Sequence, residues 1–215
     1  MKKLLALSLL VLVPAAALAA AAPQEWAYPA APQGYQPPPE PETALKIAGS
    51  DRSYTPKQIG DPYAPPDWFP GEHGPMPQVV AKGKAPNVNG CAQCHLANGL
   101  GHPESSNLSG QPAGYLYEQL QEFKNGNRAS MLPGRSNNMI RFAQNMTDEE
   151  MKQAAAYFSS IKQTAWNKVV ETDTVPKTFV GEGNMRFVSE DNAKEPIGKR
   201  IIEVPSDEAN AKKRD

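Results

Sequence analysis

Asn89-Gly90-Cys91-Ala92-Gln93-Cys94-His95 is the stretch on which the reading of this 215-residue chain turns. Cys91 and Cys94 are its whole cysteine inventory. Two cysteines in an exported chain would ordinarily form one disulfide, but a two-residue spacing followed at once by histidine points elsewhere. A thioredoxin-like dithiol sits between a strand and a long helix; here no apolar strand precedes Cys91, and the glycine-rich Asn98-Gly99-Leu100-Gly101 follows. A zinc site needs four ligands, usually in paired sets, and only His73 and His102 remain to supply them. The third chemistry is covalent attachment of haem c, whose signature is C-x-x-C-H. Two thiolates on one helical turn meet the two vinyl groups on one porphyrin edge, and the next residue reaches the iron. Cys91 and Cys94 are therefore the expected attachment residues and His95 the expected axial ligand. No second C-x-x-C-H occurs, so one haem is expected.

Methionine paired with histidine raises a haem potential relative to two nitrogen ligands, and the chain has seven methionines. Met1 belongs to the export signal, Met76 precedes the domain, Met185 lies in the C-terminal extension, and Met151 falls on the apolar face of a helix. Met146 stands immediately before a helix cap, where an apolar residue acts as a hydrophobic staple. Met139, in the short helical piece Asn138-Met139-Ile140-Arg141-Phe142-Ala143, is the first candidate for the sixth ligand, and Met131, beside Leu132-Pro133-Gly134, is the second.

Three helices are readable around the motif. Pro77 to Lys82 is short. Pro112 to Asn125 has proline at its first position, apolar Tyr115, Leu116, Leu120 and Phe123 at helical spacing, and Gly126 as its stop. Thr147-Asp148-Glu149-Glu150 is a capping box with acidic residues in the first turn, followed by Met151, Ala154, Ala155, Phe158 and Ile161 on one face. These place a domain at residues 75–166, small for a core of side chains alone, which a buried haem would complete. His73 and His102, each beside proline or glycine in a polar loop, are expected to be solvent-exposed.

Residues 1–22 read as a secretory signal: Lys2 and Lys3, an apolar run from Leu4 to Val13 that is short of the roughly 20 residues a span needs, and the small-residue site Ala17-Leu18-Ala19. The expected location is the periplasm, with no transmembrane segment after signal removal. Formal net charge is −1, and losing Lys2 and Lys3 makes it more negative, opposite to the basic footprint of nucleic-acid binding. Residues 23–74 form an arm; well over half of the 22 prolines fall between Pro23 and Pro77, interleaved with Trp26, Tyr28, Tyr35, Tyr54, Tyr63, Trp68 and Phe69. Proline density excludes a helix or central strand there. The part up to about Glu42 is expected to be a mobile linker, and the aromatic second part to lie on the folded body. Residues 167–215 change to short β-branched runs, Val169-Val170, Thr178-Phe179-Val180 and Arg200-Ile201-Ile202-Glu203-Val204, which read as extended segments or a small hairpin.

From Pro77 to Ile161 the chain resembles the class I c-type cytochromes, most closely one domain of the periplasmic two-haem cytochromes c. The resemblance is carried by residues 89–95; by Asn107-Leu108-Ser109-Gly110-Gln111; by Tyr115-Leu116, Gln119-Leu120, Phe123-Lys124-Asn125-Gly126 and Arg128; and by Met139, Ala143, residues 146–150 and Ala155-Ala156-Tyr157-Phe158. It implies an all-α fold around one covalent haem, with His95 and Met139 axial to the iron. It also implies that the first and last helices cross, Gly83 giving the close approach and Tyr157 or Phe158 filling the contact. One departure is Ser106, where the family usually has proline whose carbonyl holds the axial histidine through Nδ1–H.

With both axial positions filled, the iron can only change charge, so the expected function is a one-electron periplasmic carrier and not an enzyme. Its partners would be redox proteins, a dehydrogenase donor or a terminal oxidase acceptor, and it could serve as the cytochrome subunit of a dehydrogenase complex. The alternative is a haem enzyme or gas sensor whose methionine ligand is labile or absent. The long arms suit either docking to a fixed partner or shielding of the haem.

Overall fold

The computed structural model describes residues 33–36, 39, 41–102, 105–129, 137–165, 167–181 and 185–213, and within them the helix with the clearest sequence signal is the longest. Three helices form its scaffold: α4, Ala113–Lys124; α5, Asn137–Asn145; and α6, Asp148–Ser160. Thr147 Oγ1 accepts from the Glu150 N–H at 3.2 Å, while the Glu150 carboxylate accepts from the Thr147 N–H at 2.7 Å. This reciprocal cap satisfies two donors that a helix start leaves open. Met146 and Met151, on either side of the cap, are both buried in the core, as a hydrophobic staple requires.

Each helix turns an i, i+3, i+4 stripe to the same core. From α6 come Met151, Ala154, Ala155 and Phe158, from α5 Phe142 and Ala143 with Met139 partly buried beside them, and from α4 Leu116 with Leu120 and Phe123. Tyr115 does not join them; it is nearly half-exposed, on the outer side of α4. Pro112 is the N-cap residue of α4 and lies just outside the helix. The short helices α2, Gln78–Ala81, and α3, Ala92–His95, close the cluster through Val79, Val80 and Ala92.

Gly83 does not make the approach between the first and last helices. Its φ is +62°, and a Cβ there would lie 2.2 Å from the Val88 carbonyl oxygen, so it serves the turn that returns the chain to the cysteines. The α2 side is tied to α6 instead by Lys84, whose Nζ lies 3.0 Å from Glu150 Oε2.

The described part of the N-terminal arm folds. Ile47, Ile59 and Trp68 are buried in a second apolar cluster with Leu45, Tyr54 and Phe69 around it. Proline density does not exclude a helix here: Pro56–Ile59 form a single turn, α1, with proline in its first turn, where a missing N–H costs nothing, and a Thr55–Gln58 capping box. Most of the stretch up to Glu42, read as a mobile linker, lies outside the described residues.

After residue 173 the chain forms an antiparallel ribbon. Strand β1, Thr174–Pro176, pairs with β4, Lys194–Pro196; β2, Thr178–Val180, pairs with β3, Arg186–Val188, in the register Phe179 opposite Phe187. Two of the expected extended runs are not strands. Val169-Val170 and residues 200–204 have no regular structure, and Val169 and Ile201 are 86% and 97% exposed; β-branched composition alone supplies no ladder partner. A last turn, α7, Glu208–Ala211, sits against the ribbon, Glu208 Oε1 accepting from the Val188 N–H at 3.1 Å. The tail then fastens to the arm: Trp68 Nε1–H donates to the Lys213 carbonyl at 3.0 Å, and Lys213 Nζ to the Lys46 carbonyl at 3.1 Å.

Candidate haem-attachment site

Helix α3 is one turn long, and that turn carries the candidate site. Cys91 is its N-cap residue and the His95 N–H donates to the Cys91 carbonyl at 3.0 Å, so Cys91, Cys94 and His95 follow one another around a single turn. The two cysteines are not bridged to each other, and each retains its sulfur for another bond. Cys91 as a residue is half-buried, but its Sγ donates to the Val79 carbonyl at 3.4 Å, and removal from water pushes its thiol up to about 12.

His95 is oriented by a backbone acceptor. Its Nδ1 lies 2.8 Å from the carbonyl oxygen of Ser106; a carbonyl only accepts, so Nδ1 carries the proton and Nε2 carries the lone pair a metal would use. The serine that replaces the family's usual proline therefore provides the same acceptor. The ring of Phe158 stands edge-on to His95 with centroids 6.3 Å apart, and Tyr157 packs on Phe158 at 5.2 Å while its hydroxyl donates to the Ala97 carbonyl at 2.6 Å. Burial raises the Tyr157 phenol above its ordinary range, which keeps it a neutral donor.

Met139 lies on the inner stripe of α5 with Phe142 and Ala143, partly buried against the cluster that Cys91 and Leu108 also border. Met131 lies outside the described residues. Neither remaining histidine is the exposed loop residue its neighbours suggested. His102 is buried at 8%, its backbone paired with Ser105. The His73 side chain is 5% exposed, with Nδ1 2.8 Å from the Gly74 carbonyl and Nε2 3.2 Å from Asp67 Oδ1.

Sequence reasoning did not find the arm's hold on the site. Gln93, between the two cysteines, is buried and donates from Nε2 to the Ile59 carbonyl at 3.3 Å; the Gly90 N–H donates to the Pro62 carbonyl at 2.8 Å. The aromatic density of residues 63–69 was the available signal; it gave the contact but no partner.

The family model for cytochrome c matches residues 80–162. Cytochrome c-554(548) of Halomonas halodenitrificans is 35% identical over 74 residues, which are 34% of this chain and 86% of that protein. The chain belongs to the class I c-type cytochromes. Cytochrome c-552 of Acidithiobacillus ferridurans is 38% identical over 74 residues, 34% of this cytochrome and 30% of that one. Solved structures of cytochrome c4 are similar as well: that of Acidithiobacillus ferrooxidans at 35% identity, 38% of this chain, 45% of the other and a TM-score of 0.33, and that of Pseudomonas stutzeri at 26%, 40%, 45% and 0.35. This cytochrome thus spans less than half of several relatives it matches.

The cofactor of the family is covalently held haem c with its iron, and the family's work is haem-based electron transfer. The residues here fit that group: two unbridged thiols on one turn and an adjacent imidazole whose Nδ1–H is already committed to a carbonyl. Among the described residues no cluster of histidine, cysteine and carboxylate offers a rival metal site, and no helix is long and apolar enough to cross a membrane.

Proposed function

We propose that this cytochrome is an exported, periplasmic one-electron carrier in which Cys91 and Cys94 hold a single haem c and His95 and Met139 are the axial ligands. The observation that carries the reading is the His95 Nδ1–H bond to Ser106, because it fixes the tautomer and ring direction that a metal-binding histidine needs. When bound, haem supplies a one-electron ferric/ferrous couple. The chain's own part is to hold and shield it: Ser106 orients His95, Phe158 limits its ring, and the stripe of α5 presents Met139 beside buried Phe142 and Ala143.

The folded arm favours shielding over a free docking arm. Its Ile59 and Pro62 carbonyls are used on the attachment turn, and its Trp68 is used on the tail. Electron donor and acceptor then dock on a body that already includes the arm, and a dehydrogenase or a terminal oxidase fits that role.

Absorption spectra of the holoprotein with Met139→His and with Met131→Ala test the ligand. Loss of the methionine-to-iron charge-transfer band with Met139→His, and its survival with Met131→Ala, is the expected result. Rapid carbon monoxide binding by the ferrous wild-type protein would instead mark an open or labile position and a ligand sensor or haem enzyme.

A further inference from the structure

The arm lies outside residues 80–162, which match the family, yet it continues the packing behind the proximal histidine. From His95 the contacts run to Phe158 at 6.3 Å, to Tyr157 at 5.2 Å and to His73 of the arm at 6.1 Å, every step an edge-to-face pair. His73 is itself held. Its Nε2 is 3.2 Å from Asp67 Oδ1, and both backbone groups of Asp67 are bonded to the Tyr54 hydroxyl, at 2.9 Å from the carbonyl and 3.2 Å from the N–H. Tyr54 stands edge-on to buried Trp68 at 4.7 Å.

We propose that His73 is a positioning residue for His95: by filling the space behind Tyr157 it limits how far the Phe158 ring, and through it the His95 ring, can turn. The proposal rests on His95 being an iron ligand. Three features support it beyond proximity. The His73 side chain is almost wholly buried though it sits in a glycine- and proline-rich loop. Its partners on the arm are anchored to a separate apolar cluster. Tyr157 cannot swing aside freely, because its hydroxyl is bonded to the Ala97 carbonyl two residues beyond His95. Rings in direct edge contact pass a displacement from one to the next, and the cleft lined by Asp67, His73, Leu96 and Ala97 lies beside this chain of contacts. Ring orientation and ligand basicity are among the levers by which a protein tunes a haem potential, so the arm is a tuning element and not only a cover.

The test uses the full-length holoprotein with His73→Ala, His73→Phe and, as a control on the exposed arm surface, Arg52→Ala. The readouts are the reduction potential and the haem-methyl proton shifts of the oxidised protein, which report axial ring orientation; thermal unfolding is followed alongside. His73→Ala is expected to move both readouts, His73→Phe, which restores a ring against Tyr157, to return them most of the way, and Arg52→Ala to leave them at the wild-type values. A double variant, His73→Ala with Phe158→Leu, is expected to shift them less than the two single changes added, because both act along one path. Wild-type readouts in His73→Ala, whatever happens to the unfolding midpoint, would overturn the proposal. If His73→Ala yields no holoprotein, His73→Phe and His73→Gln decide: equal readouts in these two also overturn it. Failure of the ligand reading would look different, as a spectrum that survives His95→Ala unchanged.

Discussion

Gly101 sits against the Ser106 carbonyl that accepts the Nδ1–H of His95. A Cβ at Gly101 would lie 2.8 Å from the Ser106 oxygen and 2.3 Å from that of Ser105, and its φ of +73° is a conformation L side chains avoid. The absence of a side chain at Gly101 therefore keeps the acceptor within reach of the histidine.

Gly101→Ala is accordingly expected to destabilise the protein by about 1–3 kcal/mol and to shift the reduction potential, both measured on the holoprotein by denaturant titration and potentiometry. Ser106→Ala removes only an exposed hydroxyl and leaves the carbonyl, so it should change neither.

Tyr157→Phe removes the donor to the Ala97 carbonyl and keeps the ring. The loss expected is about 1–3 kcal/mol, because a buried carbonyl is left without its donor; chemical denaturation measures it.

Thr147→Ala breaks one half of the α6 cap. A cost of about 0.5–2 kcal/mol is expected, and Thr147→Ser should recover most of it in the same unfolding assay.

Acid should weaken the same junction. Desolvation pushes the Glu150 carboxyl up, but the Thr147 N–H and Lys84 outweigh it and hold the group below its ordinary value. A carboxyl lowered by folding is protonated more readily in the unfolded chain. Its stabilising contribution is therefore complete above the ordinary glutamate range and declines as pH falls through that range to the folded value. Midpoints of thermal unfolding should drop over that interval, and by less in Lys84→Met, which lacks the ion pair.

Trp68→Ala empties the centre of the arm cluster and removes the donor to Lys213. About 3–5 kcal/mol is at stake, but it falls on the arm, so local opening precedes global unfolding. Limited proteolysis should cleave within residues 43–74 while the low-spin haem spectrum persists.

The C-x-x-C-H turn, the helices α2, α4 and α6, the short helical piece within α5 and the capping box were legible along the chain because each rests on short-range chemistry: three residues on one turn, a 3.6-residue apolar stripe, a side chain reaching back three residues. His73 and His102 were misread for the complementary reason. Their neighbours are loop-forming residues, and for His73 nothing in that loop tells of Tyr157 on a helix more than eighty residues away. Gly83 was assigned the wrong close approach because positive φ is written locally while the partner it admits, the Val88 carbonyl, is set by how the turn closes. The β-branched runs at residues 169–170 and 200–204 stayed unpaired, since a ladder needs a second strand in register. Spacing alone singled out Cys91, Cys94 and His95 as candidates; that the Ser106 carbonyl aims His95, and that the arm stands behind it, follows from long-range packing that no local pattern encodes.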